Sequence, residues 1–277
     1  MRFYKMNGCC NDFVIFDARA HGALQLSKEQ ARAIADRHVG VGCDQVIAIE
    51  RSIRGDAFMR IWNADGGEVS ACGNAARCVA SILLDEGAGD GPIKIETMAG
   101  VLKAERTTLG QYTVDMGSPL LKWEEIPVAR ETDTARLDYA LEAGLFRLAN
   151  PGACNMGNPH AVFFLDDLKS VPIATLGPKV ETDPYFPEGV NVGFAQILST
   201  SRIRLRVWER GAGLTKACGT GACAAVVAAH RAGLTERSCI VELDGGELAI
   251  DWRDSDDRVL MTGPVELERV GDLLGAA

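Results

Sequence analysis

Two cysteines precede predicted helices, a position that favours thiol chemistry. Cys72 stands before Gly73, and Cys218 stands before Gly219. The N–H groups and the positive dipole end of a helix start stabilise an anion, so a thiol there should ionise below its usual pKa of about 8.5. We therefore expect both sulfurs to reach the thiolate state near neutral pH. A thiolate on one side of a carbon and a thiol on the other could invert that carbon by proton transfer.

A repeat at an offset of 146 residues relates the two cysteines. Residues 59–73 align with residues 205–219, and six of the fifteen aligned positions are identical, both cysteines among them. The repeat unit is longer than that of a solenoid, so it indicates two related domains. The predicted domains are residues 1–116 together with 264–277, and residues 117–263.

Each half contains one apolar helix among short strand-forming runs. The helices are predicted at 73–86 and 219–232, each followed by a glycine suited to end it, Gly87 or Gly233. The second helix is apolar on every side and must be buried. Strands of the first half are predicted at 13–17, 46–50, 57–62, 92–97 and 112–116. We predict an α+β fold of two pseudo-symmetric domains, each of β-strands wrapped around a central buried helix, with the active site in the interdomain cleft.

Composition and charge disfavour several classes of protein. The chain has 277 residues, 47% hydrophobic and 24% charged, which is ordinary for a globular protein. Its net charge of −9 repels nucleic acid and anionic lipid. No apolar run approaches the roughly 20 residues that span a bilayer, and residues 1–8 lack a signal-peptide core. We expect a cytoplasmic protein with no nucleic-acid or membrane partner.

The cysteine count of nine also limits the chemistry. An odd number without Cys-x-x-Cys spacing argues against a disulfide framework, a zinc ribbon and a thioredoxin-like site. We interpret seven of the nine as small buried side chains and predict no metal site. The glycine-rich stretches lack a phosphate loop, so no pyridoxal cofactor is predicted either. Stabilisation of a carbanion would then come from N–H groups at the two helix starts.

The motifs around these cysteines resemble those of the diaminopimelate epimerase family. The matching runs are Asn11-Asp12-Phe13, Asn63-Ala64-Asp65-Gly66, Ala71-Cys72-Gly73-Asn74 with Arg77-Cys78, Gly157-Asn158-Pro159-His160, Gly189-Val190-Asn191, Glu209-Arg210-Gly211-Ala212-Gly213 and Ala217-Cys218-Gly219-Thr220-Gly221. The resemblance implies cofactor-independent epimerisation of LL-2,6-diaminopimelate to meso-2,6-diaminopimelate, by a two-base thiol/thiolate mechanism, in lysine and peptidoglycan precursor biosynthesis. It also implies a homodimer.

The resemblance further implies roles for individual residues. Cys72 and Cys218 are the implied catalytic pair, with Cys72 as the base toward the LL isomer. The residues implied to hold the carboxylate and amine at the reacting centre are Gly73, Asn74, Gly219 and Thr220. His160 and Glu209 are implied to tune the cysteines, and Glu209 also to bind substrate. The other implied substrate-binding residues are Asn11, Gln45, Asn63, Asn158, Asn191 and Arg210.

One run departs from the family pattern. Many members read His-Gly-x-Gly-Asn-Asp-Phe, whereas residues 7–13 here read Asn-Gly-Cys-Cys-Asn-Asp-Phe. Cys10 therefore stands where the pattern has a glycine, immediately before Asn11. A β-carbon at that position constrains the backbone geometry before Asn11.

Three alternative functions remain open from the residues themselves. A cofactor-independent racemase of the same fold could act on proline, hydroxyproline or another amino acid. A second charged end of the substrate is favoured by Arg210 together with Asn63, Asn158 and Asn191. A thiol redox or metal-binding protein would use the paired cysteines, and the missing Cys-x-x-Cys spacing argues against it. A non-catalytic amino acid binding protein would not need both sulfurs.

Overall fold

Two parts of the chain form separate units. Unit 1 contains Met1–Asp115 and the segment that begins at Thr262, and unit 2 is Met116–Met261. The computed structural model describes residues 1–70, 72–87 and 91–273. The predicted first domain also includes residues 274–277, which lie outside the described residues, as does Ala71 of the predicted repeat.

The elements alternate between short strands and a few helices. Those of the chain up to residue 115 are β1 (Arg2–Gly8), β2 (Asn11–Asp17), α1 (Lys28–Ala35), β3 (Gln45–Glu50), β4 (Ala57–Asn63), β5 (Glu68–Val69), α2 (Gly73–Asp85), β6 (Ile93–Thr97), β7 (Gly100–Arg106) and β8 (Tyr112–Asp115). The following elements are β9 (Ala140–Ala143), β10 (Phe146–Ala149), β11 (Gly152–Asn155), β12 (Pro159–Phe164), α3 (Ile173–Glu181), β13 (Asn191–Ser199), β14 (Arg202–Glu209), β15 (Gly213–Thr215), α4 (Gly219–Arg231), β16 (Ser238–Leu243), β17 (Gly246–Trp252), β18 (Val259–Gly263) and β19 (Glu266–Asp272).

The strand pairing repeats between the units. In unit 1, β1–β2 is antiparallel, β2–β3 parallel, β3–β4 antiparallel, β4–β6 parallel and β6–β7 antiparallel. Unit 2 has the same alternation of antiparallel and parallel pairs, in the order β11–β12, β12–β13, β13–β14, β14–β16 and β16–β17. The predicted repeat is therefore a repeat of topology, and the predicted two-domain α+β fold class is confirmed.

A buried helix lies against the strands of each unit. In unit 1, α2 contacts β1, β2, β6, β7 and β8, and in unit 2, α4 contacts β11, β12, β13, β14, β16 and β17. Small side chains let the strands approach α4 closely, since a β-carbon added to Gly152 would lie 2.9 Å from the Ala228 β-carbon. Both helices end as predicted, because Gly87 (φ +87°) and Gly233 (φ +72°) adopt the left-handed conformation after them. No helix among the described residues is long and apolar enough to cross a membrane.

A second helix packs against the strands of each unit, α1 against β3 and β4 and α3 against β13, β14 and β15. The pair Ser27 and Gln30 predicts a helix over residues 28–37, and the capping box forms as expected. This helix, α1, ends earlier, at Ala35, because the Asp36 carboxylate accepts N–H bonds from the next residues and turns the chain. The equivalent helix α3 was not predicted. Pro172 stands at its N-cap, where a capping side chain would have signalled the start.

The hairpin between β1 and β2 contains two strained residues. Cys9 (φ 60°) and Cys10 (φ 59°) form its two-residue turn, and both adopt the left-handed conformation that favours glycine or asparagine. The Asn7 side-chain oxygen accepts the Cys10 N–H at 2.8 Å and supports the turn. Cys10, which stands where the family pattern has a glycine, therefore adopts a left-handed backbone conformation that suits glycine better than a residue with a side chain.

Replacing Cys10 by glycine should stabilise the protein. Removing the exposed Cys10 side chain relieves left-handed strain of roughly 1 kcal/mol, which corresponds to a rise in Tm of about 2–4 °C. Cys10→Ser is the matched control, because it removes the sulfur but keeps the β-carbon and the strain. Differential scanning calorimetry should show the rise for Cys10→Gly alone. Equal Tm values for the two variants would contradict the assignment of strain.

Candidate active site

Cys72 lies at the start of the buried helix of unit 1. It is the N-cap of α2, with extended backbone angles (φ −150°, ψ 114°). Its sulfur is 3.9 Å from the side-chain oxygen of Asn11, which begins β2. The side chain is half-buried. Gly73 and Asn74 follow in the first turn of the helix, where N–H groups have no acceptor within the helix.

Asn11 belongs to a chain of side-chain amides. The Asn74 amide nitrogen donates to the Asn11 oxygen at 3.3 Å, and the Asn11 nitrogen donates to the Asp44 carboxylate at 3.0 Å. Asp44 was not among the predicted site residues. Its contact with Asn11 spans 33 positions in the sequence, which no local pattern could have predicted.

Gln45 and Asn63 face each other on paired strands. They are opposite residues of β3 and β4, and the Gln45 nitrogen donates to the Asn63 oxygen at 2.9 Å. Because the Asn63 oxygen accepts this bond, the Asn63 nitrogen is the group left to donate elsewhere. The Gln45 oxygen is buried and has no hydrogen-bond partner among the described residues.

Cys218 occupies the same position in unit 2, but it is much more buried. It is the N-cap of α4 and only 4% exposed, and its sulfur accepts the Gly221 N–H at 3.3 Å. The Thr220 hydroxyl lies 3.6 Å from the same sulfur. The helix start therefore contacts the sulfur as the sequence predicts.

The predicted lowering of the Cys218 pKa is nevertheless wrong. Burial raises the pKa of Cys218 well above its ordinary value, and the negative charge of Glu209 raises it further. The Thr220 hydroxyl and the Gly221 N–H lower it by less. The loss of water raises the Cys218 pKa by more than the hydrogen bonds at the helix start lower it. Cys218 is therefore a protonated thiol at neutral pH. The sequence pattern could not reveal this, because it does not report the burial of the sulfur.

His160 is a neutral, fully buried histidine at the start of β12. Burial and the positive charge of Arg210 lower its pKa to about 3. Its Nε2 atom lies 2.9 Å from the Asn158 oxygen and 3.1 Å from the Thr220 hydroxyl. Because the Asn158 oxygen is an acceptor, we infer that the ring proton is on Nε2. His160 is thus connected to Cys218 through Thr220.

Glu209 and Arg210 follow each other at the end of β14. The Thr215 hydroxyl donates to Glu209 at 2.5 Å, across the short β14–β15 pair. The Arg210 backbone N–H donates to the Asn191 side chain at 3.0 Å, and its guanidinium donates to the Glu188 carbonyl at 2.7 Å. These contacts fix the turn that carries the two charged side chains.

Asn191 is bonded to backbone through both ends of its side-chain amide. Its oxygen accepts from Arg210, and its nitrogen donates to the Pro159 carbonyl at 2.8 Å. It is 3% exposed. Its observed contacts therefore position the Arg210 turn and tie β13 to the start of β12.

Direct contacts join the predicted residues into groups within each unit. In unit 1 they join Cys72, Asn11 and Asn74, and separately Gln45 and Asn63. In unit 2 they join Cys218, Thr220, His160 and Asn158, and Asn191, the register partner of His160, connects Arg210 to this group. Gly219 opens α4 as Gly73 opens α2. The described residues contain no group of three or more His, Cys, Asp or Glu side chains arranged to hold a metal ion.

The fold is shared with amino acid racemases of known structure. A crystal structure of a probable proline racemase from Agrobacterium radiobacter, with bound carbonate, is similar with a TM-score of 0.69 and 15% identity, over 98% of this chain and 92% of that chain. At this identity the likeness establishes the fold alone.

Sequence comparison establishes the family. The family model described as diaminopimelate epimerase matches residues 3–122 and 152–268. Relatives named diaminopimelate epimerase include those of Acidiphilium cryptum, 56% identical over 98% of this chain and 95% of the relative, and Phenylobacterium zucineum, 53% identical over 98% and 97%. The chain belongs to the diaminopimelate epimerase family, and the resemblance found in its motifs is confirmed.

Removing the Glu209 charge should make Cys218 ionise at lower pH. Glu209→Gln keeps the shape of the side chain but removes the negative charge that raises the Cys218 pKa. Iodoacetamide labelling of Cys218, followed across pH by peptide mass spectrometry, should then have a lower midpoint than in the unsubstituted protein. Glu242→Gln, which removes a unit 2 carboxylate paired with Arg202, is the matched control and should leave the midpoint in place. An unchanged midpoint in Glu209→Gln would refute the electrostatic role.

Proposed function

We propose that the chain epimerises LL-2,6-diaminopimelate to meso-2,6-diaminopimelate without a cofactor. The main support is one structural observation in a chain of this family. The two units have the same topology, and each places a cysteine directly before its buried helix. Inversion of a carbon by two bases requires one acid/base group for each face. Cys72 and Cys218 are the acid/base groups of this mechanism.

The two sulfurs exchange roles with the direction of the reaction. Toward the meso product, the Cys72 thiolate takes the α-proton, and the electron pair of the broken C–H bond spreads into the carboxylate. The Cys218 thiol then gives its proton to the opposite face, so one S–H bond forms as another breaks. The raised pKa of Cys218 supports its role as the donor, since its thiol is protonated at neutral pH. In the reverse direction Cys218 is the base.

The first turns of α2 and α4 stabilise the developing negative charge. Their opening residues are Gly73, Asn74, Gly219 and Thr220. Backbone N–H groups there bond the carboxylate oxygens more strongly as charge moves onto them. One well-placed donor is worth about 3–4 kcal/mol, and each 1.4 kcal/mol changes a rate tenfold. Several donors are therefore needed for the weakly acidic α-proton of an amino acid.

Polar side chains bind the amino acid end that does not react. These residues are Asn63, Asn158 and Arg210, supported by Asn191 and Gln45. The planar Arg210 guanidinium matches a carboxylate through two parallel N–H bonds. Asn191 contributes by holding the Arg210 backbone, and Gln45 contributes by turning the Asn63 nitrogen outward as a donor.

Glu209 and His160 set the state of Cys218. The Glu209 charge keeps a proton on Cys218 and also suits the positive amine of the substrate. The single Nε2 proton of neutral His160 is shared between the Asn158 oxygen and the Thr220 oxygen, so the Thr220 hydroxyl hydrogen points toward the Cys218 sulfur.

The wider setting of the reaction also belongs to this proposal. Family membership supports a place in lysine and peptidoglycan precursor biosynthesis, in the cytoplasm. It also supports a homodimer, in which each subunit has two domains that correspond to units 1 and 2.

Reaction in heavy water tests the chemistry directly. Reduced protein with LL-diaminopimelate, in D₂O with a chelator and without pyridoxal phosphate, should give meso product carrying one deuterium at the inverted α-carbon. Cys72→Ala and Cys218→Ala should each lose turnover, whereas Cys239→Ala, a buried cysteine on β16, should retain it. Activity that requires pyridoxal phosphate or a metal, or that survives in both active-site variants, would refute the proposal. Faster inversion of L-proline would favour the proline racemase alternative.

Arg210→Lys should damage turnover although the charge is retained. An ammonium group cannot reproduce the planar two-point contact with a carboxylate, so kcat/KM should fall at least 30-fold, which corresponds to about 2 kcal/mol. Arg206→Lys, on the strand β14 that leads to Arg210 and paired with Asp244, is the control and should stay within threefold. Near-native kcat/KM for Arg210→Lys would mean that Arg210 does not bind a distal carboxylate.

A further inference from the structure

Arg77 places a fully buried positive charge on the central helix of unit 1. It is 0% exposed and lies on α2 between apolar residues. Burying a charge costs several kcal/mol unless its hydrogen bonds are satisfied, so such a residue needs specific partners. One partner is the Asn74 side-chain oxygen, to which the Arg77 guanidinium donates at 3.0 Å. Gly8 leaves space for the guanidinium, since a β-carbon there would lie 3.2 Å from an Arg77 nitrogen.

The chemistry of the two ends fixes the direction of every hydrogen bond in the amide chain. A guanidinium can only donate, so the Asn74 oxygen faces Arg77 and the Asn74 nitrogen must face Asn11. A carboxylate can only accept, so the Asn11 nitrogen faces Asp44 and the Asn11 oxygen faces Asn74. The observed order of donors, Arg77 to Asn74, Asn74 to Asn11, and Asn11 to Asp44, satisfies both conditions. Neither amide can turn over without losing a bond.

The orientation fixed in this way reaches the sulfur of Cys72. The Asn11 oxygen that accepts from Asn74 is also the atom 3.9 Å from the Cys72 sulfur. An amide turned the other way would present a nitrogen donor to the sulfur instead of an oxygen acceptor. The identity of the group facing Cys72 is therefore fixed from both ends of this chain, by Asp44 directly and by Arg77 through Asn74.

We propose that Arg77 is a positioning residue for epimerisation, because it orients Asn74 and Asn11 so that the Asn11 oxygen faces the reacting sulfur of Cys72. The inference rests on the proposed function in taking Cys72 as a reacting group. It concerns unit 1 specifically. At the repeat offset of 146, Cys223 takes the position of Arg77 and Thr220 takes that of Asn74, so the surroundings of Cys218 are built from different groups.

Two substitutions of Arg77 separate its donor role from its bulk. Arg77→Met keeps much of the volume but has no donor, whereas Arg77→Lys keeps a donor-only cation. We expect kcat to fall at least tenfold in Arg77→Met and to recover toward the unsubstituted value in Arg77→Lys. The pH midpoint of Cys72 alkylation should change in Arg77→Met, because the amide group that faces the sulfur is no longer held in one orientation, while the midpoint of Cys218 stays the same. Fragment spectra assign the label to Cys72.

A variant that retains Arg77 covers the case in which Arg77→Met does not fold. Asn74→Asp keeps an oxygen partner for Arg77 but removes the donor to Asn11, so kcat should fall at least tenfold here too. Arg231→Met, which removes a half-buried guanidinium from α4, is the matched control and should leave the Cys72 midpoint unchanged.

The outcomes separate this inference from the proposed function. Wild-type kcat and an unchanged Cys72 midpoint in Arg77→Met, or wild-type kcat in Asn74→Asp, would overturn the positioning role. A loss of folded protein with normal kcat per folded molecule would also overturn it, because it would mean that Arg77 only stabilises the fold. Failure of the unsubstituted protein to epimerise diaminopimelate would instead refute the proposed function, while the alkylation midpoints would still report on Arg77.

Discussion

A cysteine at the N-cap of a buried helix experiences two opposing effects on its thiol pKa. The helix start offers N–H groups that favour the thiolate, and the surrounding strands exclude the water that would solvate it. At Cys218 the exclusion of water dominates, even though the Gly221 N–H reaches the sulfur. A helix start alone therefore does not lower the pKa of a thiol that is buried from solvent. Cys72, which is half-buried and precedes Arg77 on the same helix, has surroundings of a different kind.

The repeat preserves the backbone of the two units while changing the charges near each sulfur. Asn63 in unit 1 corresponds to Glu209 in unit 2, and Arg77 corresponds to Cys223. A buried cation is therefore found in unit 1, and a carboxylate that raises the thiol pKa is found in unit 2. In a reaction in which one sulfur takes a proton and the other gives one, one sulfur must be a thiolate while the other is a thiol. Different residues at a few positions of the repeated fold give the two sulfurs different neighbouring charges.

Much of the fold, and the position of Cys72 and Cys218 at two helix starts, could be predicted because the signals are local. The capping pair before α1, the glycines after α2 and α4, and the repeated cysteines are all visible within a few residues of sequence. Helix α3 lacks such a signal because Pro172 occupies its N-cap. The pKa of Cys218 depends on burial, and the contact of Cys72 with Asn11 spans 61 positions, so both required the folded chain. Arg77 did carry a signal, since a charged residue inside an apolar helical run demands a buried partner.

The strained Cys9–Cys10 turn persists because the segment around it is held from several directions. Left-handed backbone costs roughly 1–2 kcal/mol per residue with a side chain. The β1–β2 ladder fixes both ends of the turn, and Lys5 and Arg37 both bond the Asp12 carboxylate just beyond it. Asn11, between the turn and Asp12, is the residue whose oxygen faces Cys72. Strain of this kind survives where neighbouring contacts overdetermine the backbone, so the same contacts that tolerate Cys10 also hold Asn11 in place.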